Sequence, residues 1–227
     1  MGRLATDRRP GVLKGSMDTD AALATRLSRD LDAAFPTLVT QHQDRLYTIA
    51  LRLLGDRRDA EEVAQDALVR AFRAMAGYPR ERTASLRLRP WLASITINLA
   101  RNRRRRFEDR KPPRQLEPML EGGFDVMGDG RTRPDAAADR RETQRELAEA
   151  LLRLTPAVRA AIVLRHVDGL SVAETAEALG KPEGTIKAQV HRGLRELRSD
   201  LETGDGPLPT RTRSQSARLV PAMEAIR

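Results

Sequence analysis

Residues 171–197, SVAETAEALGKPEGTIKAQVHRGLREL, constrain this chain more than any other stretch. Their spacing predicts two helices joined by a tight turn. Ser171 followed by Glu174 is a capping box: the Ser hydroxyl accepts from the third backbone N–H, and the Glu carboxylate reaches back. Val172, Ala173, Ala176 and Leu179 recur at helical spacing. Gly180 can take the left-handed conformation that ends a helix, and Pro182 suits the first turn of the next. In that second helix Ile186, Val190, Leu194 and Leu197 share one face. Lys187, Ala188, His191, Arg192 and Arg195 share the other. A short turn, then a helix with an apolar inner face and a basic outer face, describes the recognition helix of a helix-turn-helix. An amphipathic hairpin with a solvated outer face has the same periodicity. The basic face and the rest of the chain favour the DNA-reading version.

Charge points the same way. Across 227 residues, 41 Lys and Arg stand against 32 Asp and Glu, a formal charge of +9. That excess favours an anionic partner. Ala, Leu and Arg dominate, all strong helix formers, and aromatics are only 3%, too few for a large aromatic core. No cysteine is present, which excludes disulfides and Cys-ligated zinc and agrees with a reducing cytoplasm. His42, His166 and His191 are far apart in sequence, so no His pair has metal-ligand spacing and no metal or cofactor is expected. No run of about 20 apolar residues exists to span a membrane. No apolar stretch follows the N-terminal charges, so no secretory signal is read there.

The rest of the chain reads as all-α: two small helical domains joined by a flexible linker, the second containing the helix-turn-helix. Residues 1–29 are expected to be a disordered extension. The first domain, 30–107, opens with an apolar stripe of Leu38, Leu46, Ile49, Ala50, Leu53 and Leu54, broken at Gly55-Asp56. DAEEVAQDALVRAF (59–72) is the next helix, acidic in its first turns, as the positive end of a helix dipole favours. Ala60, Val63, Ala64, Ala67, Leu68 and Phe72 form its inner face. Glu61, Glu62, Gln65 and Asp66 are left outside.

A loop rich in Arg and Ser follows at 80–89, and then PWLASITINLARNRRRRF (90–107). Trp91, Leu92, Ile95, Ile97 and Leu99 are its apolar set. It ends in Arg101, Arg103, Arg104, Arg105 and Arg106, more cations than a helix C-terminus calls for. Clustered Arg beside a loop bounded by Tyr78 and Trp91 fits a single-strand nucleic-acid groove. Pro and Gly punctuate 108–134, the linker. The second domain runs over 135–200, and 201–227 form a flexible tail.

Two blocks carry a family resemblance. LTPAVRAAIVLRHVDGLSVAETAEALGKPEGTIKAQVHRGLREL resembles the promoter-binding fourth region of bacterial sigma factors. DAEEVAQDALVRAF with PWLASITINLARNRRRR resembles their second region. Two such regions joined directly by a linker are similar to the extracytoplasmic-function (ECF) group, and the resemblance covers roughly residues 32–199.

The resemblance implies an alternative sigma factor. Such a protein binds core RNA polymerase through the beta-prime and beta subunits, recognises promoter DNA and assists its opening. It implies that Glu61, Glu62, Gln65 and Asp66 dock on the clamp helices of beta-prime. The loop from Tyr78 through Arg80 to Arg89, with Asn98, would capture a flipped base of the minus-ten element. An Asn amide offers both a donor and an acceptor to a base edge. Trp91 is either a core anchor or a wedge at the strand, and Arg101, Arg103, Arg104 and Arg105 would hold phosphates. At the minus-thirty-five element Lys187, His191 and Arg192 are base-edge candidates, Thr185, Gln189 and Arg195 phosphate candidates, and Ala188 can touch a thymine methyl. An anti-sigma factor is a further partner the resemblance allows. The chain departs from the family's usual residues at Asn102, Ala188 and Gln189, so its promoter sequence does not follow from the family average.

Two other classes compete. A stand-alone helix-turn-helix repressor or activator would bind a palindrome as a dimer, but gives no reason for an acidic helix followed by an Arg-rich one. A nucleic-acid-processing enzyme needs a carboxylate or His cluster, and the acidic residues here lie on one outer helix face or in the linker. The linker leads to one further expectation: each domain moves independently and binds DNA weakly alone.

Overall fold

The computed structural model describes residues 12–108 and 134–203, and every described element is helical. The expected linker core and the expected tail beyond residue 203 lie outside the described residues, while 201–203, expected in the tail, are helical. Helix α1 covers Val12–Arg29, where a disordered extension was expected. Leu23, Ala24 and Leu27 give it one buried stripe, and that burial outweighs the polar remainder of the segment. Helix α2, Leu31–Leu54, starts where the Asp30 carboxylate accepts from the Ala33 N–H. It ends at Gly55, whose φ of 78° is the left-handed cap conformation. Helix α3, Arg57–Ala76, exceeds the expected helix at both ends: Asp56 caps it earlier, accepting from the Asp59 N–H at 2.8 Å, and it runs on to Gly77, whose N–H donates to the Ala74 carbonyl. A short helix, α4 (Arg80–Ala84), stands in the expected loop, and α5 runs over Leu88–Glu108.

In the second half α6 spans Pro134–Arg153 and α7 spans Pro156–Ile162. Helix α7 passes into a π-helical turn, Val163–Val167. The wider turn is closed by the Asp168 N–H on the Val163 carbonyl, at 2.9 Å. Helices α8 (Val172–Leu179) and α9 (Glu183–Thr203) complete the helix-turn-helix.

Helix α2 is the axis on which the rest is packed. Leu38, Leu46, Ile49, Ala50 and Leu53 of the expected stripe are buried on it. Ala60, Val63, Ala64 and Ala67 of α3 and Leu92, Ile97 and Leu99 of α5 are buried too. Small residues on α3 let it lie close against α2, and Phe35 meets Phe72 edge-to-face, with ring centroids 5.0 Å apart.

The halves are not free of one another. Ala160, Val163, Leu164, Leu170 and Ala178 of the second half join the same apolar cluster as Leu46, Leu88 and Leu92 of the first. A separate cluster of Leu151, Leu154, Val158, Ile162, Leu197 and Leu201 holds the second half together. In this structure the expected independence of the domains gives way to a shared core, because burying these side chains across the seam removes apolar surface from water.

Candidate nucleic-acid interface

The recognition helix is placed by its buried residues. Ile186 and Leu197 are buried and Val190 and Leu194 half-buried, as their spacing predicts. Gly193 is buried as well: a Cβ there would come within 2.7 Å of Val158 Cγ1 and 2.8 Å of Ile162 Cγ1. That close approach seats α9 on α7. The capping box of α8 is formed, with the Glu174 N–H donating to Ser171 Oγ at 3.1 Å and the Ser171 N–H to Glu174 Oε2 at 2.8 Å. Gly180 closes α8 at a φ of 61°. Ala173 is exposed where the spacing put it inward, and Thr175 is buried instead, its hydroxyl donating to the Ser171 carbonyl.

On the outer face Thr185, Lys187, Ala188, His191, Arg192 and Arg195 are all exposed. Lys187 stands 4.0 Å from Glu183, one turn back. Gln189 is half-buried, with its side-chain oxygen buried and unpartnered, so it is set apart from the exposed cations.

The first half carries a second basic surface. Tyr78 lies beside Trp91, ring centroids 6.3 Å apart, and the Arg82 guanidinium sits 3.8 Å above the Tyr78 ring. Two adjoining rings and a guanidinium form a stacking surface to which a further flat group can be added. Trp91 is half-buried and packs against the core. Arg80 and Asn98 are exposed, as are Arg101 and Arg105, while Arg104 is half-buried.

Arg103 is differently placed: it bridges back to α3, at 2.7 Å from Asp59 and 2.5 Å from Glu62. The Glu62 hydrogen bonds raise the guanidinium above its ordinary value, and the Arg103 hydrogen bonds hold the Glu62 carboxyl below the usual carboxylate range. One expected phosphate ligand and one expected polymerase contact are therefore paired with each other. Glu61, Gln65 and Asp66 remain exposed.

Two cations of the segment expected to capture a base face the second half instead. Arg87 reaches Glu177 at 2.7 Å and Glu174 at 3.2 Å on α8, and Arg89 donates to the Asp168 carbonyl at 2.6 Å. Near Gln65 the structure adds a groove lined by Phe35, Val39, Leu68, Val69 and Phe72, with Val69 47% exposed. Val69 lies outside the apolar set read from the spacing of α3, and its neighbours Phe35 and Val39 on α2 are distant in sequence.

Comparison with known proteins decides the family. Residues 38–110 match the family described as Sigma-70 region 2, and residues 144–197 match Sigma-70, region 4. The chain is 32% identical over 174 residues to the ECF RNA polymerase sigma factor SigW of Bacillus subtilis (strain 168), covering 74% of this chain and 89% of that one. The chain belongs to the extracytoplasmic-function sigma factors of bacterial RNA polymerase. The RNA polymerase sigma-E factor of Streptomyces coelicolor is 33% identical over 175 residues, covering 75% of this chain and 88% of its own length. Among solved structures, CnrH in complex with the cytosolic domain of CnrY shares the fold, with a TM-score of 0.59 at 24% identity over 83% of this chain and all of that one. The sigma factor RpoE in complex with the anti-sigma factor NepR from Bartonella quintana does so at a TM-score of 0.53 and 23% identity, over 74% of this chain and 96% of that one.

The two matched regions correspond to the two basic surfaces. The more N-terminal one holds the Tyr78–Trp91 platform and the acidic face of α3, and the other holds α8 and α9. As an ECF sigma factor the protein is a transcription initiation factor that directs core RNA polymerase to promoter DNA. The stand-alone repressor or activator is not favoured, since a region 2 match accounts for the first half. Among the described residues no helix is long and apolar enough to cross a membrane.

Proposed function

We propose that this sigma factor reads its minus-thirty-five element with Lys187, His191 and Arg192, placed near the start of α9 in the major groove. Thr185 and Arg195 hold flanking phosphates, and Ala188 packs on a thymine methyl. Gln189, half-buried, serves at the backbone rather than at a base edge. The observation that carries this reading is the division of α9: Ile186, Gly193 and Leu197 are buried, and the three candidate readers are exposed on the opposite side. Arg is suited to bidentate bonds with guanine, worth about 1–3 kcal/mol of discrimination.

At the minus-ten element the Tyr78–Trp91 platform receives an unstacked base, Asn98 offers its amide to the base edge, and Arg80, Arg101, Arg104 and Arg105 hold the strand. Arg103 acts by fixing α5 to α3. Glu61, Gln65 and Asp66, with the groove beside Val69, engage the core polymerase. The protein works in the cytoplasm, has no catalytic role of its own, and takes an anti-sigma factor as a further partner.

Transcription from a randomised promoter library by the reconstituted holoenzyme tests the assignment. Arg192→Ala is expected to relax preference at one minus-thirty-five position. Arg195→Ala is expected to lower transcription uniformly across sequences. Identical uniform losses from both variants would remove Arg192 from the base-reading set.

A further inference from the structure

Helix α1 has no part in the functions assigned so far, and it lies ahead of residue 38, where the match to Sigma-70 region 2 begins. It is nevertheless firmly held. One residue, Asp30, separates it from α2. The Asp30 N–H donates to the Arg26 carbonyl at 3.0 Å and the Asp30 carboxylate caps α2, so the angle between the two helices is set at the joint. Leu23, Ala24 and Leu27 are buried along one stripe, and Asp20 Oδ1 stands 3.4 Å from Nε2 of the buried His42 of α2.

What α1 carries is α4. Among the described residues α4 packs against α1 more than against any other element. Helix α4 does not fix its own place. It has five residues, too few to be stable alone, and Pro79 at its start gives no side-chain cap. Thr83 is its buried residue, and the Thr83 hydroxyl donates to the Pro79 carbonyl. With Thr83 inward, Arg80 and Arg82 are left outside, and the Arg82 guanidinium lies 3.8 Å above the Tyr78 ring. A guanidinium over a partly exposed ring gains little by itself, so the stack follows the placement of α4.

We propose that α1 is a positioning element for the minus-ten contact: Leu23 and Leu27, seated in the core, hold α4 so that Arg82, Tyr78 and Trp91 present one stacking surface to an unstacked base. This rests on the base-capture reading above. Leu23 and Leu27 are buried and do not meet DNA themselves; they act through α4. Helix α1 packs on α2, α4 and α5, and to no comparable extent on α3, α8 or α9. Loosening it therefore disturbs strand capture, while the acidic face of α3 and the outer face of α9 keep their places.

The test measures affinity of the full chain for core polymerase, and of the reconstituted holoenzyme for two DNAs taken from a promoter recovered from the randomised library. One is a duplex carrying its minus-thirty-five element, the other the single non-template strand carrying its minus-ten element. Leu27→Ala, at a temperature where unfolding curves show it folded, is expected to weaken single-strand binding about fivefold or more, the lower end of what stacking on an aromatic ring is worth. Core affinity and duplex binding should change by less than about twofold. In the free chain, acrylamide quenching of Trp91, the single tryptophan, should rise as the stack loosens. Leu27→Met, which keeps the volume, should stay close to the native chain. In a Tyr78→Ala background Leu27→Ala should cost less than about twofold, since no ring is left to position. Leu23→Val, a smaller truncation, carries the same comparisons where Leu27→Ala does not fold. Equal losses in all affinities, native single-strand binding by both truncated variants, or the full loss persisting in the Tyr78→Ala background would each overturn the proposal. Tyr78→Ala alone separates the two failures. Unchanged single-strand binding there removes the base-capture reading, whereas a loss there with none in Leu27→Ala removes only the role of α1.

Discussion

Asp168 receives the Arg45 guanidinium on both carboxylate oxygens, Nη2 to Oδ2 at 2.6 Å and Nε to Oδ1, although the two residues are 123 apart in sequence. The Asp168 side chain is 1% exposed and that of Arg45 16%. The pair is a sealed ionic contact between helix α2 and the turn that leads into the helix-turn-helix. Arg45 also donates to the Arg89 carbonyl and Arg89 to the Asp168 carbonyl, so the start of α5 is tied into the same junction.

Asp168→Ala should therefore be costly. Removing one partner of a buried pair leaves the other charge uncompensated, a loss of about 3 kcal/mol. Urea unfolding is expected to show a lower midpoint. Substituting both residues, Arg45→Met with Asp168→Ala, should recover part of the loss, since the stranded charge is gone. A double variant as unstable as Asp168→Ala would show that the cost lies elsewhere.

Glu174 makes the second half sensitive to acid. Burial acts to raise its carboxyl, but the Ser171 N–H and hydroxyl, with Arg87 and Arg89, outweigh it and hold the group below its ordinary 4.5. A carboxyl depressed in the folded state contributes stability above the unfolded value and loses it as pH falls through the folded one. The stability difference between the native chain and Glu174→Gln should thus be full above pH 4.5 and shrink below it. Thermal unfolding of both proteins from pH 6 to about pH 3 measures this. A difference independent of pH would point to lost capping geometry alone.

Gly193→Ala tests how α9 is seated. Alanine gains about 1 kcal/mol of helix propensity over glycine. Here its Cβ would stand 2.7 Å from Val158 Cγ1, in a core that cannot yield cheaply. Overpacking costs about 1–3 kcal/mol, so the variant should be destabilised on balance. Promoter binding through the minus-thirty-five element should fall with it as α9 is pushed off α7. Higher stability in the variant would show that α7 and α9 have room to separate.

Asp66 and Glu62 lie on the same helix but should behave differently. Asp66 is exposed, whereas Glu62 is engaged by Arg103 and Arg58. Asp66→Arg should reduce affinity for core polymerase with an unchanged unfolding midpoint. Glu62→Arg should reduce affinity and also lower the midpoint, because it sets a cation against Arg103. Polymerase binding by fluorescence anisotropy, paired with unfolding of each variant, separates the two. Unchanged core affinity in Asp66→Arg would detach the acidic face of α3 from polymerase docking.

What the sequence determined by itself was local and periodic. The capping box, the Gly180 cap and the alternation of Ile186 with Lys187 and of Leu194 with Arg195 place α8 and α9 almost residue by residue. Helical spacing and backbone capping act within a few residues, so they survive without knowledge of the fold. The exposed face of α9 and the acidic face of α3 were legible for that reason. Helix α1 was not, since its stripe of Leu23, Ala24 and Leu27 is short and only packing makes it helical. Tertiary structure alone decided the seam between the halves and the ion pairing of α5 with α3. Arg45 with Asp168, Arg103 with Asp59, and Arg159 on the Leu53 carbonyl join groups 123, 44 and 106 residues apart. In sequence each is one more arginine among 41 Lys and Arg. Whether a guanidinium meets solvent, DNA or a buried carboxylate depends on which helix faces lie opposite it, and no local pattern encodes that.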